Sequence, residues 1–194
     1  MIAETSTTVA PAGRAGGLGW HDLADELNEL GCALTEPVLM PAECAEIAAL
    51  YSDDDLFRAT APWPDDFSAW LGQCHAAGQQ RPTPLLLSYG PGDWNALHQD
   101  LYGELYFPLQ VVIGLDAPGT DYAGGEFLLV EQRPRAQSRG TVSTLGQGQA
   151  LIFTTSERPV PSRRGWSASP VRHGVSVVRS GKRRTLGLVL HDAR

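Results

Sequence analysis

The interpretation of this sequence starts at residues 89–100, which read Tyr89-Gly90-Pro91-Gly92-Asp93-Trp94-Asn95-Ala96-Leu97-His98-Gln99-Asp100. In an extended strand, residues i and i+2 point to the same face, so an H-x-D pair places the His98 imidazole beside the Asp100 carboxylate. Together with one more distant histidine, the pair would form the two-histidine, one-carboxylate set that binds non-haem Fe(II) and leaves coordination positions open. The alternative is a surface or core histidine that hydrogen-bonds to Asp100.

The third ligand is predicted to be His173, near the start of a late strand. Arg183 and Thr185 follow after a Ser180-Gly181 turn, which predicts that the next strand folds back antiparallel to the His173 strand. Such a hairpin would bring both side chains beside the metal. A guanidinium is well suited to a bidentate grip on a carboxylate, and a hydroxyl two residues along shares its strand face. Arg184 is predicted to point to the opposite face.

Five elements in this order resemble the Fe(II)/2-oxoglutarate-dependent dioxygenases over about residues 83–192. The resemblance implies that Fe(II) binds His98, Asp100 and His173, that 2-oxoglutarate binds Tyr89, Arg183 and Thr185, and that O2 is the oxidant. The stretch from Tyr89 to Asp100 is similar to AlkB-type members, whereas the GGE and G-x-A-L-x-F elements resemble prolyl-hydroxylase-like members. The remaining elements are Gly124-Gly125-Glu126-Phe127, Gly148-Gln149-Ala150-Leu151-Ile152-Phe153, and His173 with Arg183 and Thr185.

A narrower resemblance is to a bacterial group of uncharacterised 2-oxoglutarate oxygenases described as oxidising alkylated DNA. In that group more chain lies between the second helix and the proline-rich start of the β core, where this sequence has only residues 52–64. The shorter segment would remove part of a wall that covers the substrate. The resemblance rests on Pro82-Thr83-Pro84-Leu85-Leu86-Leu87, Glu131-Gln132-Arg133-Pro134-Arg135 and Leu190-His191-Asp192.

The order of predicted elements indicates an α+β chain. Apolar periodicity predicts helices over 20–30, from Pro41 and over 65–77, with Gly31 ending the first, and a strand over 32–39. Apolar runs of strand length then follow without helices between them, at 85–89, 105–115, 126–131, 149–154, 171–178 and 184–190. We expect a double-stranded β-helix (a cupin-like jelly roll) with the N-terminal helices packed on it. Residues 1–19 are predicted to be a disordered leader, and 20–194 a single domain with a helical part (20–80) and a jelly-roll core (83–192).

Composition bounds the class of protein. With 194 residues, 42% hydrophobic and 19% charged, the chain has the make-up of one globular domain. No stretch approaches the roughly 20 apolar residues of a membrane span, and no secretory signal is visible, so we expect a cytoplasmic protein without a membrane partner. The three cysteines lack metal-site spacing and are expected to be reduced.

Charge is unevenly distributed along a chain whose net charge is −7. Residues 1–132 carry 3 basic and 20 acidic side chains, and residues 133–194 carry 12 basic and 2 acidic ones. Two interpretations are possible. The favoured one is that the two parts interleave in the fold and neutralise each other, and the alternative is that the basic part lines a site for an anionic ligand.

Other polar residues are weaker candidates. Asp93, Asn95 and Arg133 are candidate substrate contacts, with turn formation the alternative for the first two and solvated charge the alternative for Arg133 and its neighbours Arg135 and Arg139. His21 and His75 are expected at the surface, and His191 is expected to be a structural residue near the C-terminus.

The predicted activity is hydroxylation of a C–H bond, and the substrate is left open between two classes. An alkylated nucleic-acid base, with nucleic acid as partner, is favoured by the AlkB-like stretch and the basic C-terminal third. Proline, a peptidyl residue or another small molecule is favoured by the hydroxylase-like elements and the acidic net charge. A module that binds metal and 2-oxoglutarate without turnover is a further alternative. The sequence does not set the oligomeric state.

Overall fold

The computed structural model describes residues 10–52, 65–81, 83–133, 137–163 and 165–194. Four helices precede the β core: α1 (Pro11–Gly16), α2 (Trp20–Leu30), α3 (Pro41–Ala49) and α4 (Asp65–Ala76). The strands are β1 (Cys32–Pro37), β2 (Pro84–Tyr89), β3 (Asn95–His98), β4 (Leu109–Gly114), β5 (Tyr122–Gly124), β6 (Phe127–Glu131), β7 (Arg139–Ser143), β8 (Gln149–Thr154), β9 (Glu157–Ser162), β10 (Gly165–Val175), β11 (Val178–Gly181) and β12 (Arg183–Val189).

Helix ends follow local chemistry. Helix α2 ends as predicted at Gly31, whose φ of 83° suits glycine and whose N–H donates to the Leu27 carbonyl. Helix α3 begins at Pro41, a residue pre-set for the first helical turn, and Glu43 accepts a hydrogen bond from the Met40 N–H at 2.7 Å.

The prediction of a disordered leader over residues 1–19 is wrong for the described residues 10–19, because they include helix α1. Arg14 fastens this segment to the domain: its side chain donates to the Val38 carbonyl and pairs with Glu43. Residues 1–9 and the short segment 53–64 lie outside the described residues, as does Arg135.

Two facing antiparallel sheets form the predicted jelly roll. One has the strand order β1-β8-β4-β12-β2, and the other has the order β3-β10-β6-β7 with β9 paired to β10. Side chains from both sheets meet in one core cluster, formed by Cys32, Val112, Phe127, Leu129, Leu145, Leu151, Phe153 and Val171. The outer face of the first sheet packs against α3 through a second cluster that includes Cys44, Ala48, Ile113 and Ala150. Helices therefore cover one sheet, and the space between the sheets holds the site.

Two predictions about strand geometry are wrong. Strands β10 and β12 do not form a hairpin: β12 pairs with β2 and β4, whereas β10 pairs with β3, β6 and β9. The segment between them, β11, pairs with β5 and carries the chain from one sheet to the other. Strand β3 also ends at His98, so Asp100 lies in the following loop rather than in the strand. Arg139 begins β7.

The uneven charge of the sequence is neutralised in the fold. Several arginines of the C-terminal third pair with acidic residues from the first 132 positions: Arg184 with Asp116, Arg179 with Glu126, Arg133 and Arg158 with Glu131, and Arg194 with Glu104. This supports the favoured interpretation, in which the two parts interleave.

Candidate metal and co-substrate site

The three predicted metal ligands lie together between the sheets. His98 ends β3, and His173 lies opposite it in the register of β3 and β10. The Nε2 atoms of His98 and His173 lie 3.3 and 3.2 Å from the two carboxylate oxygens of Asp100. The possible ligand atoms of all three residues lie within 4.8 Å of one another, and no other group of this kind occurs in the described ranges.

Neighbouring groups orient both imidazoles. The Nδ1 atom of His98 lies 2.7 Å from the Ala96 carbonyl, and donation to that oxygen leaves Nε2 free to bind a metal. The His173 ring packs against the rings of Phe127 and Phe153, whose centroids lie 6.0 and 4.8 Å from its own. These phenylalanines end the GGEF and G-x-A-L-x-F motifs, so both motifs shape the wall around one metal ligand.

The Asp100 carboxylate is ionised. Burial alone would raise its pKa, but hydrogen bonds from His173 and Tyr102, together with the nearby imidazoles, lower the pKa to about 2. The Tyr102 hydroxyl donates to Asp100 Oδ1 at 2.8 Å. Two imidazoles and one anionic carboxylate on one side of a cavity fit Fe(II), because they fill one face of its coordination sphere and leave the other open.

The metal ligands border a cavity of about 460 Å³ that also receives Arg183, Thr185 and Tyr89. Arg183 lies opposite Tyr89 in the register of β12 and β2, with its guanidinium carbon 5.4 Å from the centre of the tyrosine ring. Arg184 instead pairs with Asp116 outside the cavity, which agrees with the predicted strand faces. Although the hairpin prediction was wrong, the two sheets face each other and bring the same residues together.

The Arg183 end of the cavity fits a carboxylate. Arg183 is 2% exposed and makes no ion pair within the described part of the chain, and neither its Nε nor the Thr185 hydroxyl has a hydrogen-bond partner there. Burial lowers the pKa of Arg183, although arginine remains cationic in proteins. A buried, unpaired cation is costly, and an anionic ligand that accepts hydrogen bonds from both side chains removes that cost.

The GGE turn leaves space for Arg183. Gly125 has a φ of 65°, and a Cβ atom there would lie 2.6 Å from Arg183 Cδ. We therefore expect Gly125→Ala to weaken 2-oxoglutarate binding by about tenfold or more, because it displaces the guanidinium and strains the turn. Isothermal titration of 2-oxoglutarate into the Fe(II)-loaded or Mn(II)-loaded protein measures this. Gly140→Ala is the control, since nothing lies within 4 Å of its Cβ position; equal affinities of the two variants would contradict the prediction.

Of the weaker candidates for the site, some line the cavity and others do not. Asn95 lines the cavity and hydrogen-bonds with Tyr89, whose pKa is raised chiefly by burial. Asp93 instead accepts a hydrogen bond from the Gly90 N–H at 2.7 Å and so shapes the turn. Arg133 pairs with Glu131 at 2.9 Å and does not line the cavity. His21 is exposed, as expected, and His75 is half-exposed and bonds to Asp192 at 2.6 Å.

Three residues near the metal were missed from the sequence as candidates for the site. Tyr102 bonds to a ligand, and Gln110 lines the cavity. His191, expected to be structural, is buried, neither of its ring nitrogens has a hydrogen-bond partner among the residues that the structure describes, and its ring lies 6.4 Å from that of Tyr102. Gln110 carries a signal in the sequence, because it is a polar residue inside an apolar strand run, where a buried polar group needs an explanation.

The fold is similar to those of solved oxygenases. A Pseudomonas putida prolyl-4-hydroxylase aligns with a TM-score of 0.52 and 15% identity over 89% of this chain and 94% of that one. An oxidoreductase of the 2OG-Fe(II) oxygenase family from Burkholderia pseudomallei aligns with a TM-score of 0.50 and 17% identity over 90% and 92% of the two chains. At these identities the likeness supports the double-stranded β-helix fold.

A family model described as "Oxygenase, catalysing oxidative methylation of damaged DNA" matches residues 28–193. With the fold and the metal cluster, this match places the chain in the class of Fe(II)- and 2-oxoglutarate-dependent oxygenases, whose oxidant is O2. The chain belongs to the matched family, Oxygenase-NA.

Two uncharacterized proteins of Mycobacterium tuberculosis, from strains CDC 1551 and H37Rv, are each 69% identical over 133 residues. The aligned part spans 69% of this chain and 57% of each relative. Within the described residues, no helix has the length and apolar character needed to cross a membrane.

Proposed function

We propose that this oxygenase hydroxylates the N-alkyl group of an alkylated nucleic-acid base. The observation that carries the oxygenase site is the juxtaposition, in one cavity, of the His98, Asp100 and His173 cluster and the buried Arg183, which hydrogen-bonds with Tyr122 but has no ion-pair partner among the described residues. The three ligands would hold Fe(II), and Arg183 with Thr185 and Tyr89 would hold the far carboxylate of 2-oxoglutarate. Bound together, Fe(II) and 2-oxoglutarate supply O2 activation for attack on a C–H bond.

The protein itself orients the side chains of the candidate metal site and excludes water from the cavity. The Ala96 carbonyl and the two phenylalanine rings fix the imidazoles, and Tyr102 holds one oxygen of Asp100. The cavity wall is otherwise mostly apolar, built from Leu85, Leu87, Val112, Val175 and Val189. A dry wall strengthens the grip of Arg183 on a carboxylate and limits side reactions with water.

The choice of an alkylated base rests on the family description, which names damaged DNA. A hydroxylated N-alkyl carbon breaks from the base nitrogen as an aldehyde, so hydroxylation at this position would restore the base. A second candidate substrate is proline, a peptidyl residue or another small molecule. It is favoured by the ion pairs of the C-terminal arginines, which leave less free positive charge for phosphates than the sequence indicates.

A two-panel assay separates these substrates. We expect single-stranded oligonucleotides that contain 1-methyladenine or 3-methylcytosine to raise succinate formation above the substrate-free rate, with matching formaldehyde release. Stimulation should fall as salt rises if phosphates are contacted, because each contact releases a counterion. Unmethylated oligonucleotides are the matched control. Stimulation by proline or proline-containing peptides alone, insensitive to salt, would replace the proposal with the second candidate.

A further inference from the structure

Strand β4 carries a buried polar residue, Gln110, in the wall of the cavity. It is 3% exposed, lines the cavity, and its Nε2 has no hydrogen-bond partner in the described part of the chain. A buried amide without a partner costs stability, and such groups in proteins usually meet a ligand or an ordered water. No step assigned above to the metal ligands or to Arg183 uses this side chain.

Gln110 lies at the opposite end of the cavity from Arg183. It pairs with Val189 in the register of β4 and β12, and Val189 lies six residues beyond Arg183 on the same strand, or roughly 20 Å at the rise of a β-strand. Phe153 pairs with Gln110 in the register of β8 and β4, and its ring centroid lies 4.8 Å from that of His173. The cluster of His98, Asp100 and His173 therefore lies near the Gln110 end, and a co-substrate held by Arg183 at the other end leaves Gln110 free to contact a substrate.

The charges of the wall limit what this end can accept. Among the residues that line the cavity in the described part of the chain, Arg183 is the only lysine or arginine. Val189 and Phe153 flank Gln110 in the strand register, and Leu85 and Tyr102 line the same cavity. An anionic group buried there, such as the carboxylate of a free amino acid, would have no cation to pair with. A flat ring without negative charge, with hydrogen-bonding atoms on its edge, meets both the apolar wall and the amide.

We infer that Gln110 is a specificity-determining residue that hydrogen-bonds to the polar edge of the substrate base. An amide offers a donor and an acceptor side by side, which matches the paired acceptor and donor atoms on a nucleobase edge. The aromatic side chains of Tyr102 and Phe153 supply surfaces for the faces of the ring. This inference rests on the proposed function, because it takes the alkylated base as the substrate.

The test compares Gln110→Met with the exposed control Gln132→Met in the Fe(II)-loaded protein. Methionine keeps the volume and removes both hydrogen-bonding atoms. We expect kcat/KM for the 1-methyladenine or 3-methylcytosine oligonucleotide to fall roughly 10- to 100-fold in Gln110→Met. The dissociation constant for 2-oxoglutarate and the substrate-free rate of succinate formation should stay within about twofold of the parent. The control should match the parent in all three measurements.

A second readout needs no substrate. If the Gln110 amide is unpaired in the free protein, its replacement by methionine should raise Tm by about 2 °C, since an unsatisfied buried group is removed. A fall in Tm would mean that Gln110 is a structural hydrogen-bonding residue and would overturn the inference.

Two outcomes separate the inference from the function on which it rests. Undiminished oligonucleotide turnover by Gln110→Met, with the parent active, would overturn the inference alone. A parent that forms succinate without substrate but is stimulated by neither oligonucleotide would overturn the proposed substrate, and the inference with it.

Discussion

His98→Ala and His173→Ala are each expected to lose at least about 100-fold in Fe(II) affinity while the jelly roll stays folded. Each variant removes one of three protein ligands, and even the loss of a group that only orients a ligand costs 10- to 100-fold in metal affinity. Iron per chain, measured by metal analysis after anaerobic loading and desalting, should drop from near one to near zero. Circular dichroism of the same samples reports whether the fold survives.

The two variants differ in their cost to stability. The His98 side chain is one-third exposed, so its removal takes little from the core, whereas the buried His173 packs against Phe127 and Phe153 and its loss leaves a cavity. His98→Ala is therefore the cleaner test, and His21→Ala, at an exposed histidine, is the matched control. Retention of one iron per chain by both ligand variants would refute the assignment.

Local patterns in the sequence predict much of this fold. The apolar spacing of Trp20–Leu30 and the glycine after it define α2, and the observed limits agree because a cap is decided by neighbouring residues. The run over 149–154 likewise forms β8. Strands β7 and β9 were missed because arginine, glycine and the prolines Pro159 and Pro161 resemble loop sequence. Both lie at sheet margins, where such residues are tolerated.

Which strands pair with each other cannot be predicted from local patterns in the sequence. The Ser180-Gly181 turn is visible in the sequence, but whether β12 returns beside β10 or crosses to the other sheet depends on packing far along the chain. The cluster of His98, Asp100 and His173 could still be predicted, because the spacing and order of these residues do not depend on the strand pairing. Gln110 stands out in the sequence as a polar residue in an apolar run, but its place in the site could not be predicted, since that requires knowledge of the cavity that it lines.

Arg183 and Arg184 offer a matched pair of substitutions with different expected consequences. Arg183→Ala should weaken 2-oxoglutarate binding by roughly 2–4 kcal/mol, because the far carboxylate is left buried without a cation. That range corresponds to about 30- to 800-fold in the dissociation constant. Because Arg183 is a fully buried side chain, its loss also leaves a cavity, so thermal unfolding must show that the variant stays folded. Titration of 2-oxoglutarate into the metal-loaded variant, beside thermal unfolding, gives both quantities.

Arg184→Ala should show a different pattern. Its guanidinium pairs with the buried carboxylate of Asp116 at 2.5 Å. Removal of the arginine therefore leaves the negative charge of Asp116 buried without an ion-pair partner. We expect Tm to fall while affinity for 2-oxoglutarate stays within a few fold, because Arg184 lies outside the cavity. Equal losses of affinity in the two variants would mean that the carboxylate is held elsewhere. A larger loss in Arg184→Ala would mean that β12 is shifted by one residue, because a shift of one position exchanges the two faces of a strand.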